Sequence, residues 1–357
     1  MAQPFDLRKL ETVGEPVLIA DQVAWNSFSA SLTGTMVYLS GNSAAETGQL
    51  TVFDRQGKIL ETVGEPGPYR WVAFSPDGRR VVTARGDPQS GSENLWMMDL
   101  ARGINTRFTF DSGTDFYPVW SPDGNRLAFG SIRSGKYDLY EKLSNGGSDE
   151  QLLFKPESET GITIPLSWSG DGRFLLFGQE SRDALVLPLD PNGHASGKPF
   201  LFVQKEIGID LHFSPGPQGH PLWVAYSSNE SGIYEIYVRP FDPNSPNGTP
   251  PDGGKWQVST EGGMSARWNS NGKELFYVAL DGTVMSVEVG GASVFQFGTP
   301  KPLFKAKGFR TYLDNAALWD ASSDGKKFIF PISQFASGIA SPTRFTVVLN
   351  WPSLMKK

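Results

Sequence analysis

The sequence predicts an all-β chain: a seven-bladed β-propeller, with six or eight blades as the alternatives. Three observations carry that expectation. A short turn motif recurs along most of the chain. The runs between its copies read as short strands, with no helical period. Glycine and proline are in excess, 40 and 26 of 357 residues, against usual shares of about 7% and 5%.

The motif is an aromatic residue, Ser, Pro or another small residue, Asp or Asn, then Gly, followed by a β-rich run. Phe74-Ser75-Pro76-Asp77-Gly78 leads into Val81-Val82-Thr83, and Trp120-Ser121-Pro122-Asp123-Gly124 into Leu127-Ala128-Phe129. Trp168-Ser169-Gly170-Asp171-Gly172 and Trp268-Asn269-Ser270-Asn271-Gly272 repeat it. Weaker copies run from Phe28 to Gly34 and from Trp319 through Asp324-Gly325, and Phe213-Ser214-Pro215 has an altered turn. The turn glycines recur every roughly 45 to 53 residues, except for one doubled interval that contains the altered copy; four-stranded propeller blades have such a period. Proline presets φ, Ser and Asp hydrogen-bond the nearby backbone, and Gly accepts positive φ, so each copy closes an antiparallel hairpin.

Two further strand-like runs follow each hairpin, as in Asn94–Met98 and Thr106–Phe110. The expected blades are approximately 22–64, 69–111, 115–155, 163–204, 208–260, 264–306 and 315–351. Blade seven lacks a fourth strand, and an orphan run, Pro16–Ala20, resembles the fourth strands at Pro199–Phe202 and Pro302–Lys305. Pro16–Ala20 is therefore expected to complete the last blade and close the ring, removing an exposed edge. The whole chain, 1–357, is read as one domain with 1–15 as a lead-in.

Composition excludes several function classes. The net charge is −6 with no basic stripe, which argues against nucleic acid. Cysteine is absent, which removes disulfides and thiolate chemistry. No apolar run is long enough to span a membrane, and the N-terminus lacks the pattern of a signal peptide. The chain reads as soluble.

No catalytic or metal pattern emerges. The three histidines, His194, His212 and His220, have no ligand spacing around them. Gly41-Asn42-Ser43-Ala44-Ala45 fails as a nucleophile elbow. Asp242–Gly248 departs from a calcium loop and reads as a hairpin insertion. Asp77, Asp123, Asp171 and Asp324 repeat with the turn and are structural. No cofactor is expected.

If the first strand of each blade is innermost, the loops entering first strands and those joining second to third strands share one face. They supply Tyr69, Arg70, Trp71, Asp115, Phe116, Tyr117, Asp210, Arg267 and Asn315, and Arg85, Asp87, Arg133, Arg182, Asp183, Asn229 and Glu230. His212 lies near the axis. Such a ring of Arg, Asp and aromatic groups suits recognition. The candidate ligand-binding residues are Arg70, Trp71, Asp115, Tyr117, Arg133, Asp210, His212, Glu230 and Arg267. The expected function is non-catalytic binding of an unknown protein or small molecule. The alternative is a propeller-scaffold lyase or glycoside hydrolase acting at the central channel.

The Trp-Ser-Pro-Asp-Gly units resemble the TolB-like (WD40-like, PD40) propeller repeats. Met1–Asp6, Leu95-Trp96 through Thr109, Glu230–Phe241, Lys273–Tyr277 and Thr346–Trp351 further resemble the C-terminal propeller of bacterial eukaryotic-like serine/threonine kinases, common in Acidobacteria-type genomes. That resemblance implies a sensor region linked to a kinase in a larger signalling protein. It also implies an extracytoplasmic location where the parent is membrane-anchored, and a cytoplasmic one otherwise. The chain has no glycine-rich phosphate loop and no His-Arg-Asp loop, so kinase activity does not reside in it.

Overall fold

The computed structural model describes residues 2–20, 23–31, 33–40, 48–87, 91–156, 162–179, 183–203, 210–250, 253–291, 294–309, 319–333 and 344–356. Arg182, Asn315 and the Gly41–Ala45 stretch lie outside the described residues. The chain divides into two compact units: Gly48–Gln334, and Met1–Thr47 with Phe335–Lys357.

The larger unit is a β-propeller built from sheets of antiparallel strands. Blade 1 comprises Tyr69–Phe74, Arg80–Gly86, Glu93–Asp99 and Ile104–Arg107. Blade 2 is Asp115–Trp120, Arg126–Ser131, Asp138–Leu143 and Gln151–Phe154; blade 3 is Thr163–Trp168, Phe174–Gln179, Ala184–Pro188 and Phe200–Val203. Leu211–Phe213, Trp223–Ser228, Glu235–Pro240 and Trp256–Gln257 form blade 4. Blade 5 holds Met264–Trp268, Glu274–Val278, Thr283–Gly290 and Lys301–Lys305, with Gln296–Phe297 also paired to its third strand. Blade 6 joins Asp320–Ala321 and Lys327–Ser333 to Gly48–Asp54 and Ile59–Gly67. The innermost strands touch in cyclic order, blade 6 returning to blade 1. Where seven blades were expected, this unit closes with six.

The closure also differs from the expected one. Pro16–Ala20 completes no blade: Val17 bridges Ala2 instead, with reciprocal 2.8 Å hydrogen bonds. The ring is closed by Gly48–Asp54, whose register runs from Lys327↔Asp54 to Ser333↔Gly48. The hairpin expected to begin the first blade, Val23–Ala30 with Met36–Ser40, pairs with Arg344–Val348 in the smaller unit. Outer halves are thus exchanged relative to the expectation. The exchanged strands keep their β character and only their partners change, whereas Pro16–Ala20 keeps a single bridge, at Val17. In the smaller unit, Trp351 N donates to Gly34 O at 3.0 Å, so the C-terminal 3₁₀ turn packs on the hairpin.

The repeated turn sets each blade. The Ser75 hydroxyl donates to Asp77 Oδ1 at 2.5 Å and accepts from Arg80 N at 2.9 Å. Ser121, Ser169 and Ser322 repeat both bonds with their own Asp and with the residue five positions on. The carboxylate fixes the hydroxyl, and the hydroxyl fixes the start of the second strand. Gly78, Gly124, Gly172 and Gly325 take φ of 65–76° here, a region that glycine enters freely. In blade 4 the degenerate copy keeps the serine: Ser214 Oγ accepts from Leu222 N and Trp223 N, while Pro217–Gly219 form a 3₁₀ turn.

The core fills the spaces between sheets, where Val82, Leu95, Phe116, Phe129, Leu176 and Tyr226 belong to one buried cluster. Polar links join neighbouring blades. Ser323 Oγ donates to Pro76 O at 2.8 Å, Ser270 N to Ser323 O at 2.7 Å, and Arg55 pairs with Glu274 at 2.6 Å.

Leu50 is fully buried beside Val52 and Ile329 in the closing blade. Leu50→Ala is expected to cost about 2–5 kcal/mol in urea unfolding. Ile59→Ala, on the exposed outer strand, should change stability by less than about 0.5 kcal/mol.

Candidate functional site

The inner strands bend at one place. Blades 1, 2, 3 and 5 carry a register shift there: Arg70/Ala73, Phe116/Val119, Pro165/Ser167 and Met264/Arg267. Bulges re-aim side chains and take proline readily, as at Pro118 and Pro165. Within these bulges Trp71 and Tyr117 adopt φ of 49° and Ser265 φ of 59°. Bulky residues in the left-handed region are held there only by their surroundings, and such outliers cluster at functional sites.

The bulges surround an axial cavity of about 300 Å³. Counting back from each turn serine or its equivalent, the two-residue position is occupied by Ala73, Val119, Ser167, His212, Arg267 and Asp320. The four-residue position is occupied by Trp71, Tyr117, Pro165, Asp210 and Ser265. Of these, all but Ser265 line the cavity. Its wall is therefore two-sided. Blades 1–3 contribute aromatic and small groups, and blades 4–6 contribute ionisable ones. The lining continues to the turn residues Gly170, Pro215, Ser270 and Ser323.

On the aromatic side, the Trp71 and Tyr117 rings pack tilted by 34° with centroids 4.8 Å apart. Burial pushes the Tyr117 phenol up to about 12, with the neighbouring Trp71 indole opposing and the Asp210 carboxylate adding to the rise. Tyr117 therefore keeps its proton and remains a donor. Trp71 Nε1 is buried and makes no hydrogen bond of good geometry among the described residues, the Tyr117 oxygen being its nearest polar neighbour by its effect on that phenol. A buried N–H without a partner is costly unless something else satisfies it.

On the ionic side, Arg267 is the clamp. Its Nη1 reaches Asp210 Oδ2 at 3.0 Å and Ala266 O at 2.8 Å, and its Nε reaches Asp320 Oδ1 at 3.1 Å. Its Nη2 donates to Trp319 O at 3.3 Å. Asp320 Oδ2 accepts from Phe74 N at 2.8 Å, tying blade 6 to blade 1. His212 Nε2 lies 2.7 Å from both Asp210 Oδ1 and Arg267 Nη1. Guanidinium can only donate and carboxylate can only accept, so Nε2 either donates to Asp210 or accepts from Arg267, and its tautomer sets which of the two contacts is the hydrogen bond.

Burial raises the Asp210 carboxyl, but Arg267 and His212 outweigh it and hold it below the usual range. For Asp320 burial wins over the same arginine, and its carboxyl is raised. Burial, then the Arg267 charge, lowers His212, and Asp210 offsets this only in part. The lowered imidazole is neutral near pH 7, and Arg267 is the cation shared by the two carboxyl groups.

Of the residues expected to bind, the structure brings Trp71, Tyr117, Asp210, His212 and Arg267 to one cavity. Arg70 pairs with Glu93 at 3.4 Å beside Trp71. Asp115 and Arg133 form a 3.0 Å pair inside blade 2, where Arg133 also contacts Glu150. Glu230 pairs with Lys255 at 2.6 Å. These four residues do not line the cavity. Among the described residues no group of three His, Cys, Asp or Glu side chains could hold a metal ion. The Asp242 loop is organised by its own side chain, which accepts from Asn244 N and Ser245 Oγ. The sequence hides Asp320, because Trp319 matches the turn tryptophans in type. Alignment on Ser322-Ser323-Asp324-Gly325 instead puts Ala321 in that place and Asp320 on the axis.

Residues 50–197 match the TolB beta propeller domain family, PD40. A protein TolB homolog of Chlorobium luteolum is 28% identical over 255 residues, covering 66% of this chain and 55% of that protein. An uncharacterized peptidase, YuxL, of Bacillus subtilis is 33% identical over 104 residues, covering 28% of this chain and 15% of that protein. The chain thus spans about half or less of the length of these relatives. Among solved structures, a putative TolB from Agrobacterium tumefaciens superposes with a TM-score of 0.56 at 17% identity, covering 80% of this chain and 97% of that one. A functionally unknown protein from Desulfotomaculum acetoxidans gives 0.50 at 11%, covering 91% and 92%. These likenesses establish the propeller fold. Among the described residues no helix is long and apolar enough to cross a membrane.

The lowered His212 makes a signed prediction. Unfolded chains take up a proton near pH 6.5 and the folded site resists it, so stability falls as pH drops below about 6.5. His212→Gln should flatten that part of the Tm-against-pH curve relative to the parent chain. Parallel curves would refute the assignment.

Proposed function

We propose that this propeller is a non-catalytic binding module that recognises a partner protein through its axial cavity. The carrying observation is the two-sided wall: an aromatic pair held at positive φ faces a fixed Asp–Arg–Asp cluster. The clamped geometry makes the site pre-organised, which lowers the ordering cost of binding. Aromatic groups beside a buried arginine are also the composition of interface hot spots. The match of residues 50–197 to the TolB beta propeller domain supports the reading.

Arg267 engages both Asp210 and Asp320, leaving neither as an unencumbered acid or base. This favours binding over catalysis. The competing reading, a lyase or glycoside hydrolase, draws on the convergence of those two carboxylates. Turnover of a glycoside panel, abolished by Asp320→Asn, would replace our reading with that one. We further propose that the module serves a larger signalling protein, an extracytoplasmic sensor where the parent is membrane-anchored. The kinase-like stretches at Glu230–Phe241 and Thr346–Trp351 support that setting, and a kinase segment in the parent reading frame would test it.

Panning a random peptide display library on the purified chain tests the binding reading. Selected peptides should lose about thirtyfold or more in affinity to Tyr117→Ala, the scale of a hot-spot truncation. They should bind normally to Leu152→Ala, an exposed outer-strand change. No enrichment, or equal loss in both variants, would overturn it.

A further inference from the structure

Outside the axis, blade 1 carries a second pocket. It is lined by Arg85, Gly86, Asp87, Asn94, Trp96 and Arg107, with a volume of about 250 Å³. Strand pairing explains the assembly: Arg85 lies opposite Asn94, and Trp96 lies opposite Arg107, on three adjacent strands. Asn94 and Trp96 are two residues apart, so all four side chains share one face of the sheet.

The two guanidiniums are fixed without a carboxylate. Arg107 Nε donates to Thr109 O at 2.8 Å, and Nη2 donates to Asn94 Oδ1 at 2.9 Å, with Asn94 itself buried. Its charge also lies 5.5 Å from the Phe110 ring. The Arg85 guanidinium sits 5.8 Å from the Tyr69 ring and 5.5 Å from the Trp96 ring. Room for it comes from blade 6, where a Cβ on Gly67 would come within 3.2 Å of Arg85 Nε. Among the described residues no ion pair engages Arg85 or Arg107.

The contrast with the rest of the molecule is informative. Arg55, Arg70, Arg126, Arg133 and Arg267 each face a carboxylate, from Glu274, Glu93, Glu141, Asp115 and Asp210 respectively. Arg80 is also held by carbonyls and an aromatic ring, but among the described residues only in the blade 1 pocket do two such guanidiniums line one cavity. Asp87 on the lining balances one of them at most. Aromatic stacking holds a guanidinium in place without consuming its donors, so the Arg85 fork and Arg107 Nη1 are left to receive an acceptor.

We propose that this pocket on blade 1 is an oxyanion site, binding a phosphate or carboxylate group through Arg85 and Arg107. Planar, fixed guanidiniums match such groups in bidentate geometry. The site does not depend on the axial reading, since it shares no residue with that cavity.

Calorimetric titration of the purified chain at constant ionic strength, with inorganic phosphate and separately with acetate, tests the proposal. Saturable binding of either probe is expected, weakened about tenfold or more by Arg85→Gln and only partly by Arg85→Lys. Arg102→Gln, an exposed arginine beside Asp99, should leave binding unchanged. Phosphate binding alone would assign a phosphorylated ligand, and acetate binding alone a carboxylated one. Thermal melts confirm that each variant folds. No saturable heat with either probe, or equal affinity in the parent chain and Arg85→Gln, would overturn the site.

Discussion

The antiparallel pairing of Gly48–Asp54 with Lys327–Ser333 holds the propeller together. Without it blade 6 would be reduced to the short Asp320–Ala321 strand beside Lys327–Ser333, and a lone hairpin is marginal in water. The ring would end in two open edges. Closure also sets the axis. It brings Asp320 beside Phe74 N at 2.8 Å and so presents its other oxygen to Arg267 at 3.1 Å. The ionic wall of the cavity is therefore a consequence of how the sheet ends meet.

Two kinds of polar residue do different work. Those that repeat from blade to blade, the turn serines and aspartates, satisfy local backbone and make each blade possible. Those that do not repeat, at equivalent inner-strand positions, make the blades unlike one another. Ala73, Val119 and Ser167 occupy the place that His212, Arg267 and Asp320 occupy across the axis. A symmetric scaffold thereby acquires an asymmetric interior, and only the unrepeated residues can give it selectivity.

Much of this was legible in the sequence, because turn chemistry is local. Ser-Pro-Asp-Gly announces a hairpin wherever it falls, and the strands that follow are near-continuous apolar runs buried on both faces. Trp71, Tyr117, Asp210 and Arg267 are expected on loops entering the first strands and His212 near the axis; Trp71, Tyr117 and Arg267 lie within those strands instead. Ring closure was not legible, since the β-rich runs Gly48–Asp54 and Arg344–Val348 advertise a strand without naming its partner. Nor could sequence alone separate Asp115 and Arg133, paired within one blade, from Asp210 and Arg267, which meet across two. The difference is geometric. Asp320 was hidden by a register shift of two residues behind Trp319, a tryptophan of the expected type in the wrong place.

The closing pair has a consequence for synthesis. Asp54 must wait for Lys327, so Gly48–Asp54 leaves the ribosome long before its partner exists. Until then its hydrogen-bonding edge is open to neighbouring nascent chains, and loop closure over that span is slow. Asp54, the last residue of that strand, and Arg55 just beyond it place charges at the end of the open edge. Selection on this segment therefore includes its solitary life before the circle is complete.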